Sequence, residues 1–287
     1  MLAVYKREVR AFFCSMMGYV YTAFTLLIAG IFFWAFNLRG GIAEFGYVLG
    51  NTTVVLLIIV PVITMRLLCE EQRQRTDQLL FTAPVRIGRI VLGKYLAVLT
   101  VFCIPLTVLL LCPLILSVYG QVPLLQSYSC FLAFIMMGAA CLAIGVFISS
   151  LTDSQILAAV GTFAILLASY LMNGIRGLVG QGAISSAAGF ALLILLGAAL
   201  TGGVLGSRLS GLVTAMVGES VLMGLYFTGP WRFEGIFSEF LEVFSLFDRY
   251  YDFAEGMFDV THLVYYLGVT VLFLYFTVQS IEKRRWN

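Results

Sequence analysis

The residues that first suggest chemistry are the glycines and the lysine of GRIVLGKYL, residues 88–96. Gly88, Gly93 and Lys94 match three positions of the phosphate-binding pattern G-x-x-x-x-G-K-[ST], and Tyr95 fails the fourth. Such a loop follows a buried strand, wraps phosphates with the N–H groups of small residues, and holds Mg²⁺ with its Ser or Thr hydroxyl. Three of the four residues between these glycines are bulky and apolar, and tyrosine cannot replace the small hydroxyl. The stretch therefore does not predict a nucleotide site.

Other catalytic patterns are missing from the sequence as well. The single histidine, His262, cannot supply an H-E-x-x-H or multi-histidine metal site, and there is no G-x-S-x-G elbow. The six cysteines lack CxxC spacing and most lie in apolar runs, so we expect thiols that fill apolar gaps. A disulfide between Cys112 and Cys130 is the alternative. The sequence thus predicts no catalytic, cofactor-binding or metal-binding residue.

One acidic residue, Glu219, lies within an apolar run at 211–228. If this run crosses a membrane, a charge at its centre costs roughly 2.5–3.5 kcal/mol and needs a partner, a proton or water. Glu219 is therefore a candidate carboxylate for coupling to a proton or a substrate. The alternatives are that the run is a re-entrant hairpin with Glu219 near an interface, or that Glu219 bonds a neighbouring hydroxyl.

The composition is that of a membrane protein: 61% of the 287 residues are hydrophobic, only 11% are charged, and the mean hydropathy is +1.00. Soluble chains carry roughly a quarter charged residues. About 20 apolar residues in a helix cross the bilayer core. The sequence predicts such spans near 17–37, 46–66, 95–119, 128–150, 155–173 and 262–280, with a Gly- and Ala-rich extra pair or hairpin near 184–205 and 211–228. The predicted fold is an all-α, polytopic helical membrane protein with six core transmembrane helices plus that pair.

The distribution of Lys and Arg predicts the orientation of the chain, because these residues are concentrated in cytoplasmic loops. With the N-terminus inside, only Arg39, Arg176, Arg232 and Arg249 fall in outer loops. The other thirteen of the 17 basic residues fall inside: Lys6, Arg7, Arg10, Arg66, Arg73, Arg75, Arg86, Arg89, Lys94, Arg208, Lys283, Arg284 and Arg285. An even number of spans then places both termini in the cytoplasm.

Three stretches outside the spans complete a single transmembrane domain over 1–287. Residues 1–16 predict an amphipathic elbow helix whose basic face meets anionic lipid headgroups. Residues 67–94 form the only sizeable polar stretch on the cytoplasmic side. Residues 229–261 place apolar side chains at helical spacing opposite acidic ones, which predicts an amphipathic, acidic segment outside the membrane. That outer segment would act as a gate, as a docking surface for a periplasmic protein, or as a cover for the spans.

The cytoplasmic stretch predicts a short charged helix followed by a turn. Arg66 with Glu70, and Glu71 with Arg75, have the i,i+4 spacing of ion pairs, each worth about 0.2–0.5 kcal/mol. Pro84 lacks an N–H and disfavours helix in the residue before it, so we expect a turn there. A charged helix held at a membrane face by two spans is suited to docking a cytoplasmic partner; a solvated loop is the alternative.

The chain resembles the permease subunits of ABC-2 type transporters, in particular the gliding-motility and copper-enzyme-maturation permeases. The N-terminal YKREVRAFFCSMMGYVYTAFTLLIAGIFF resembles the elbow helix and first span of that family. PVITMRLLCEEQRQRTDQLLFTAPVRIGRIVLGKYL resembles its most specific motif, and YYDFAEGMFDVTHLVYYLGVTVLFLYFTVQSIEKRRW its acidic outer stretch, last span and basic tail. The section 174–230 departs from the usual six-span pattern.

The resemblance implies a bacterial inner-membrane exporter subunit without its own nucleotide site. A separate cytoplasmic ATPase would bind ATP and Mg²⁺ and dock on the coupling helix, and a second permease, identical or paralogous, would complete the substrate path. No nucleic acid is implied. The docking role falls on the residues that match the motif: Glu70, Glu71, Arg73, Arg75, Thr76, Asp77, Thr82 and Pro84.

Two rival functions stay open from the sequence. A secondary transporter or channel would use Glu219 and the membrane potential, and would need no ATPase. A non-transporting membrane component would pass ATPase motion to a periplasmic partner through residues 232–260.

Overall fold

The apolar runs of the sequence form long helices in a computed structural model that describes residues 1–73, 87–178, 182–204, 208–228 and 230–286. The amino-terminal half contains α1 (Leu2–Cys14), α2 (Met17–Phe32), α3 (Gly46–Thr64), α4 (Cys69–Arg73), α5 (Ile87–Leu109), α6 (Cys112–Tyr119) and α7 (Leu124–Leu151). The other half contains α8 (Gln155–Leu178), α9 (Ala183–Val204), α10 (Arg208–Thr228), α11 (Ile236–Phe244), α12 (Asp248–Ala254) and α13 (Val260–Trp286). No strand occurs in these ranges, which confirms the all-α prediction.

Six helical stretches in the described ranges are long and apolar enough to cross a membrane, as predicted. They are Met17–Arg39, Gly46–Arg73, Ile87–Tyr119, Leu124–Leu151, Gln155–Leu178 and Val260–Arg284. The extra pair is also helical, but the apolar stretches within it, Ala183–Ala199 and Leu212–Thr228, are shorter than the six. The prediction of six core spans plus a pair or hairpin is therefore confirmed.

The third span begins earlier than the sequence suggested. The apolar pattern predicts this span from residue 95, whereas α5 spans Ile87–Leu109 and runs without a break through GRIVLGKYL. Lys94 is compatible with this helix because lysine is a good helix former, and its buried ammonium is paired with carboxylates. The same helix removes the phosphate-loop interpretation, since residues 88–94 are helical where such a loop must be open.

The helices form two compact units, residues 1–168 with 246–287, and residues 169–245. In the larger unit α3 and α7 are central: 72% of the apolar span of each is buried, against 17% for the span that begins with α2. Aromatic rings fill the space around α7, where Phe45 stacks on Phe131 with centroids 5.2 Å apart and Phe102 stacks on Phe134 at 6.2 Å.

Polar contacts hold the two ends of the larger unit. At one end, which we call the α12 end, the Tyr250 hydroxyl donates to the carbonyl of Gly46 at 3.0 Å. Gln126 donates to the carbonyl of Ala254 at 2.7 Å, and His262 bonds Asp252 at 2.7 Å. The opposite end, the α4 end, contains α1, α4, the start of α5 and the last turns of α7 and α13.

The smaller unit is a close pair of helices, α9 and α10, with α11 and the end of α8. Gly218 in α10 allows the close approach of Ile194 in α9, because a Cβ at that glycine would overlap the isoleucine side chain. The predicted amphipathic helix of the outer segment is present as α11: Phe237 and Leu241 are buried. On the polar side of α11, the Arg176 side chain binds the Ser238 hydroxyl and the Glu242 carboxylate, each at 3.0 Å.

All six cysteines lie in the described ranges and are thiols. Cys130 is buried and donates its S–H to the carbonyl of Phe253, with a sulfur–oxygen distance of 3.2 Å. The expectation of apolar gap-filling thiols is met at this position, and the alternative of a Cys112–Cys130 disulfide is not observed.

Candidate functional site

Lys94 lies on the buried face of α5, in register with Ile87, Ile90 and Val91 at i−7, i−4 and i−3. Only 1% of its side chain is exposed. The Nζ atom lies 3.0 Å from Oε1 of Glu8, 2.9 Å from Oε1 of Glu71 and 3.0 Å from the carbonyl oxygen of Leu67. An ammonium group has three donors, so each of them has an acceptor here. This pairing is what allows a charged group to stay buried.

Arg7 adds a second cation to the same two carboxylates. Its Nη2 lies 2.7 Å from Glu8 Oε1 and 2.6 Å from Glu71 Oε1. We call Arg7, Glu8, Glu71 and Lys94 the four-charge cluster. Its two positive and two negative charges come from α1, α4 and α5, which joins three segments that are far apart in the sequence.

The protonation of Glu8 follows from this environment. Burial alone would raise the pKa of its carboxyl, but the charge of Lys94 and the hydrogen bonds from Arg7 and Lys94 outweigh burial and hold the pKa below its ordinary value. Glu8 is therefore ionised at neutral pH, and its negative charge balances part of the positive charge of Arg7 and Lys94.

The packing of α1 on α5 explains Gly93, the residue that had suggested a phosphate loop. A Cβ on Gly93 would lie 3.2 Å from the carbonyl oxygen of Met1 and 3.4 Å from Cβ of Val4. Tyr5 and Thr100 join the same two helices through their hydroxyls at 3.1 Å. The glycine thus allows α1 to lie close enough for Glu8 to reach Lys94.

The end of α7 holds the start of α4. The Ser149 hydroxyl accepts hydrogen bonds from the backbone N–H groups of Leu68 and Cys69, at 3.2 and 3.3 Å. These are N–H groups at the start of a helix, which have no partner within it. Cys69 donates its S–H to the carbonyls of Ser149 and Thr152, and Gln72 donates to the carbonyl of Ser150. Helix α4 is therefore fixed to α7 at its first turn.

We expect Ser149→Ala to lower the free energy of unfolding by about 1–2 kcal/mol, because two buried N–H groups lose their acceptor. The neighbouring Ser150→Ala is the matched control. Ser150 is equally buried, but its hydroxyl donates only to the carbonyl of Phe147 within α7. Denaturant titration of the two purified variants measures the difference, and equal stability of both would contradict the capping role.

The last helix also reaches the end of α7. Arg284 in α13 donates to the carbonyl of Leu151 at 3.0 Å and to the Asp153 carboxylate at 3.1 Å. The basic tail, the connection after α7 and the start of α4 are thus neighbours at the α4 end.

Three of the residues predicted to dock a partner lie in described ranges. Glu70 pairs with Arg66 at 3.0 Å, as the i,i+4 spacing predicted. Glu71 belongs to the four-charge cluster, and Arg73 is exposed. The other five predicted docking residues lie outside the described ranges: Arg75, Thr76, Asp77, Thr82 and Pro84. The predicted Glu71–Arg75 pair and the predicted turn before Pro84 therefore lie outside them as well.

Arg7, Glu8, Lys94 and Ser149 belong to this site but do not stand out as site residues in the sequence. Lys94 had been assigned to a membrane face together with other basic residues. One signal was present: a lysine in helical register with three apolar residues of α5 needs a buried acid. The sequence does not indicate which acid that is, because Glu8 lies 86 positions from Lys94 along the chain.

The candidate intramembrane carboxylate, Glu219, lies in α10 of the smaller unit. Its Oε1 atom is buried and has no hydrogen-bond partner among the described residues. A hydroxyl partner for this oxygen, one of the alternatives from the sequence, is not observed there.

A search of curated protein sequences found no matching relative. A family model described as "ABC-2 family transporter protein" matches residues 35–226, which is more than half of the chain. The match includes the section after residue 174, where the sequence had departed from the family pattern. It covers α3, α4, α5 and α7, and so contains Glu71, Lys94 and Ser149. The chain belongs to the ABC-2 family of transporter proteins.

Proposed function

We propose that this chain is the permease subunit of an ABC exporter and that a separate ATPase drives it through the segment 67–94. The observation that supports the proposal is the four-charge cluster. The cluster joins α4 to α1 and α5. Helix α4 directly precedes residues 74–86 in the sequence, and α5 directly follows them. A force applied to 74–86 would reach α1 and α5 together, because Glu71 of α4 is paired with both Arg7 of α1 and Lys94 of α5.

The mechanism follows from this connection. ATP binding closes the partner ATPases, which pull or push on the docked segment. Helix α4 transmits the displacement to α7 through Ser149, and to α1 and α5 through Glu71 and Lys94. The spans then change their packing, and a path between two permeases opens to the opposite side of the membrane. In this scheme ATP and Mg²⁺ belong to the partner subunit.

The proposed location is the bacterial inner membrane, with the α4 end in the cytoplasm. Helix α1 and the tail of α13 both lie at this end, as a cytoplasmic location of both termini requires. Their basic residues agree with the enrichment of Lys and Arg on the cytoplasmic side. The proposed partners are the cytoplasmic ATPase, a second copy or paralogue of this chain, membrane lipid and a periplasmic protein.

The docking proposal is tested with Arg73→Glu, because Arg73 is exposed whereas Glu71 belongs to the buried cluster. We expect the charge reversal to reduce co-purification of the genetically linked ATPase by about tenfold, the effect of a lost charge pair of roughly 1.4 kcal/mol. Pull-down from detergent extracts measures the effect, with the thermal stability of the permease unchanged.

Glu255→Lys is the control for this experiment, since Glu255 is also exposed but lies at the α12 end. Its co-purification with the ATPase should equal that of the wild type. Unchanged association of the Arg73→Glu protein would refute docking through α4.

A second candidate function is supported by α11. Its buried Phe237 packs edge-on against Phe190 of α9, whereas Ile236 and Phe244 on the same helix are 43% and 50% exposed. Such side chains are suited to contact with a periplasmic protein, which is the role of a component that transmits ATPase motion. Deletion of 232–247 would abolish this function while the complex with the ATPase still assembles. A coupling role for Glu219 stays a prediction, and transport without any ATPase would favour it.

A further inference from the structure

A groove of about 350 Å³ lies within the larger unit between α1, α2, α3 and α5. Its walls are almost entirely apolar. The lining residues include Phe12 and Ser15 at the α1 side, Met17 and Val20 of α2, and Ile58 and Ile59 of α3. The single hydroxyl at its α1 side, that of Ser15, donates to the carbonyl of Phe12. The groove therefore offers an apolar ligand dispersion contacts and little hydrogen bonding.

The groove opens toward the surface that the membrane covers. Val20 and Phe24 of α2 are 66% and 41% exposed, and Ile58 and Val62 of α3 are 56% and 46% exposed. Deeper in the groove, Ile59 is buried. Both helices belong to spans, so the medium outside the groove is lipid rather than water. An apolar groove in this position is suited to a hydrocarbon chain, because the bilayer is its solvent.

A cation lies at the α4 end of the groove. Arg66 donates its Nε and Nη2 groups to Glu70, and its third nitrogen, Nη1, contacts the sulfur of Met17 at 3.2 Å. Met17 lines the groove, so Nη1 lies beside one of the groove's own residues. A thioether is a weak acceptor, whereas a phosphate oxygen is a strong one. Lys6 and Arg10, exposed on α1, add positive charge at the same end of the unit.

From these observations we infer that the groove binds one phospholipid of the leaflet that faces the α4 end. An acyl chain lies along α2 and α3, and an anionic headgroup lies at Arg66. The inference is independent of the proposed ATPase. The bound lipid fills the space between α1 and the spans, and so supports the helix that carries Arg7 and Glu8.

The test is native mass spectrometry of the purified full-length protein with an equimolar mixture of dioleoyl phosphatidylglycerol and dioleoyl phosphatidylethanolamine. We expect the wild type to retain one phospholipid, with phosphatidylglycerol preferred about fivefold, the effect of one basic side chain near an anionic headgroup. Arg66→Gln should keep the retained lipid but lose the preference.

The groove itself is tested by filling it. Val20→Trp should lower lipid retention by about tenfold or more, because the indole occupies the space of several methylene groups. Leu27→Trp is the matched control: Leu27 lies two turns along the same face of α2, is 60% exposed and does not line the groove. If Val20→Trp does not fold, Ile58→Trp with Val54→Trp as its control makes the same comparison on α3.

Two results would overturn the inference. Equal lipid retention by the groove variant and its control would show that the groove does not hold the lipid. An unchanged ratio of phosphatidylglycerol to phosphatidylethanolamine in Arg66→Gln would show that Arg66 does not bind the headgroup.

Discussion

Replacing Lys94 by methionine is expected to lower the free energy of unfolding by about 3–5 kcal/mol, the usual cost of removing one partner from a buried ion pair. The substitution keeps the apolar length of the side chain but leaves Glu8 and Glu71, which are only 13% and 18% exposed, with Arg7 as their cation. It also leaves the carbonyl of Leu67 without the Lys94 ammonium as a donor. The effect should fall near the lower end of the range, because Arg7 still neutralises part of the charge.

Unfolding in mixed detergent micelles measures this change, and a second substitution identifies its cause. Adding Glu71→Gln to Lys94→Met should recover part of the lost stability, because the uncompensated carboxylate is removed. Asp153→Asn is the control at the surface: its partner is Arg284, its side chain is 71% exposed, and it should stay within about 1 kcal/mol of the wild type. If Lys94→Met is as stable as Asp153→Asn, the four-charge cluster does not hold α1 and α4 together.

The cluster could be predicted from the sequence only in part. The Arg66–Glu70 pair is local, because residues four apart on a helix are neighbours, and the sequence predicted it correctly. Glu71 has the same local option with Arg75, yet its carboxylate binds Arg7 and Lys94, which are 64 and 23 positions away along the chain. The spacing of residues along the chain does not predict such a contact. It depends on how α1 folds back on α5, and that in turn depends on the absent side chain of Gly93.

The spans were predicted well, but their arrangement was not. Runs of about 20 apolar residues identify a span because lipid requires them, whatever the span touches in the protein. The spans Ile87–Tyr119 and Leu124–Leu151 have the same mean hydropathy of 2.6, and yet 39% of one and 72% of the other is buried. Lipid tails and protein cores are similarly apolar, so hydropathy alone does not separate these two spans. Small residues at helix contacts are more informative.

The second prediction concerns such a small residue, Gly138 at the centre of α7. A Cβ at this position would overlap the ring of Phe102 in α5, at Cζ and Cε1. The ring cannot move away easily, because it is 1% exposed and stacks on Phe134. We expect Gly138→Ala to lower the free energy of unfolding by about 1–3 kcal/mol, the range for overpacking a filled core. This opposes the usual gain of up to about 1 kcal/mol when alanine replaces glycine inside a helix.

A double-mutant cycle separates overpacking from other effects of the methyl group. Phe102→Leu removes the overlapping ring atoms, so Gly138→Ala should cost less in that background, with a coupling energy of about 0.5–3 kcal/mol. Gly268→Ala in α13, where a Cβ would meet no atom within 4 Å, should be neutral or stabilising. Additive effects of Phe102→Leu and Gly138→Ala would show that the methyl group does not press on the Phe102 ring. The contact between α5 and α7 at Gly138 would then not fix the position of α5 and its Lys94, and a rigid path from α4 through α5 would lose this support.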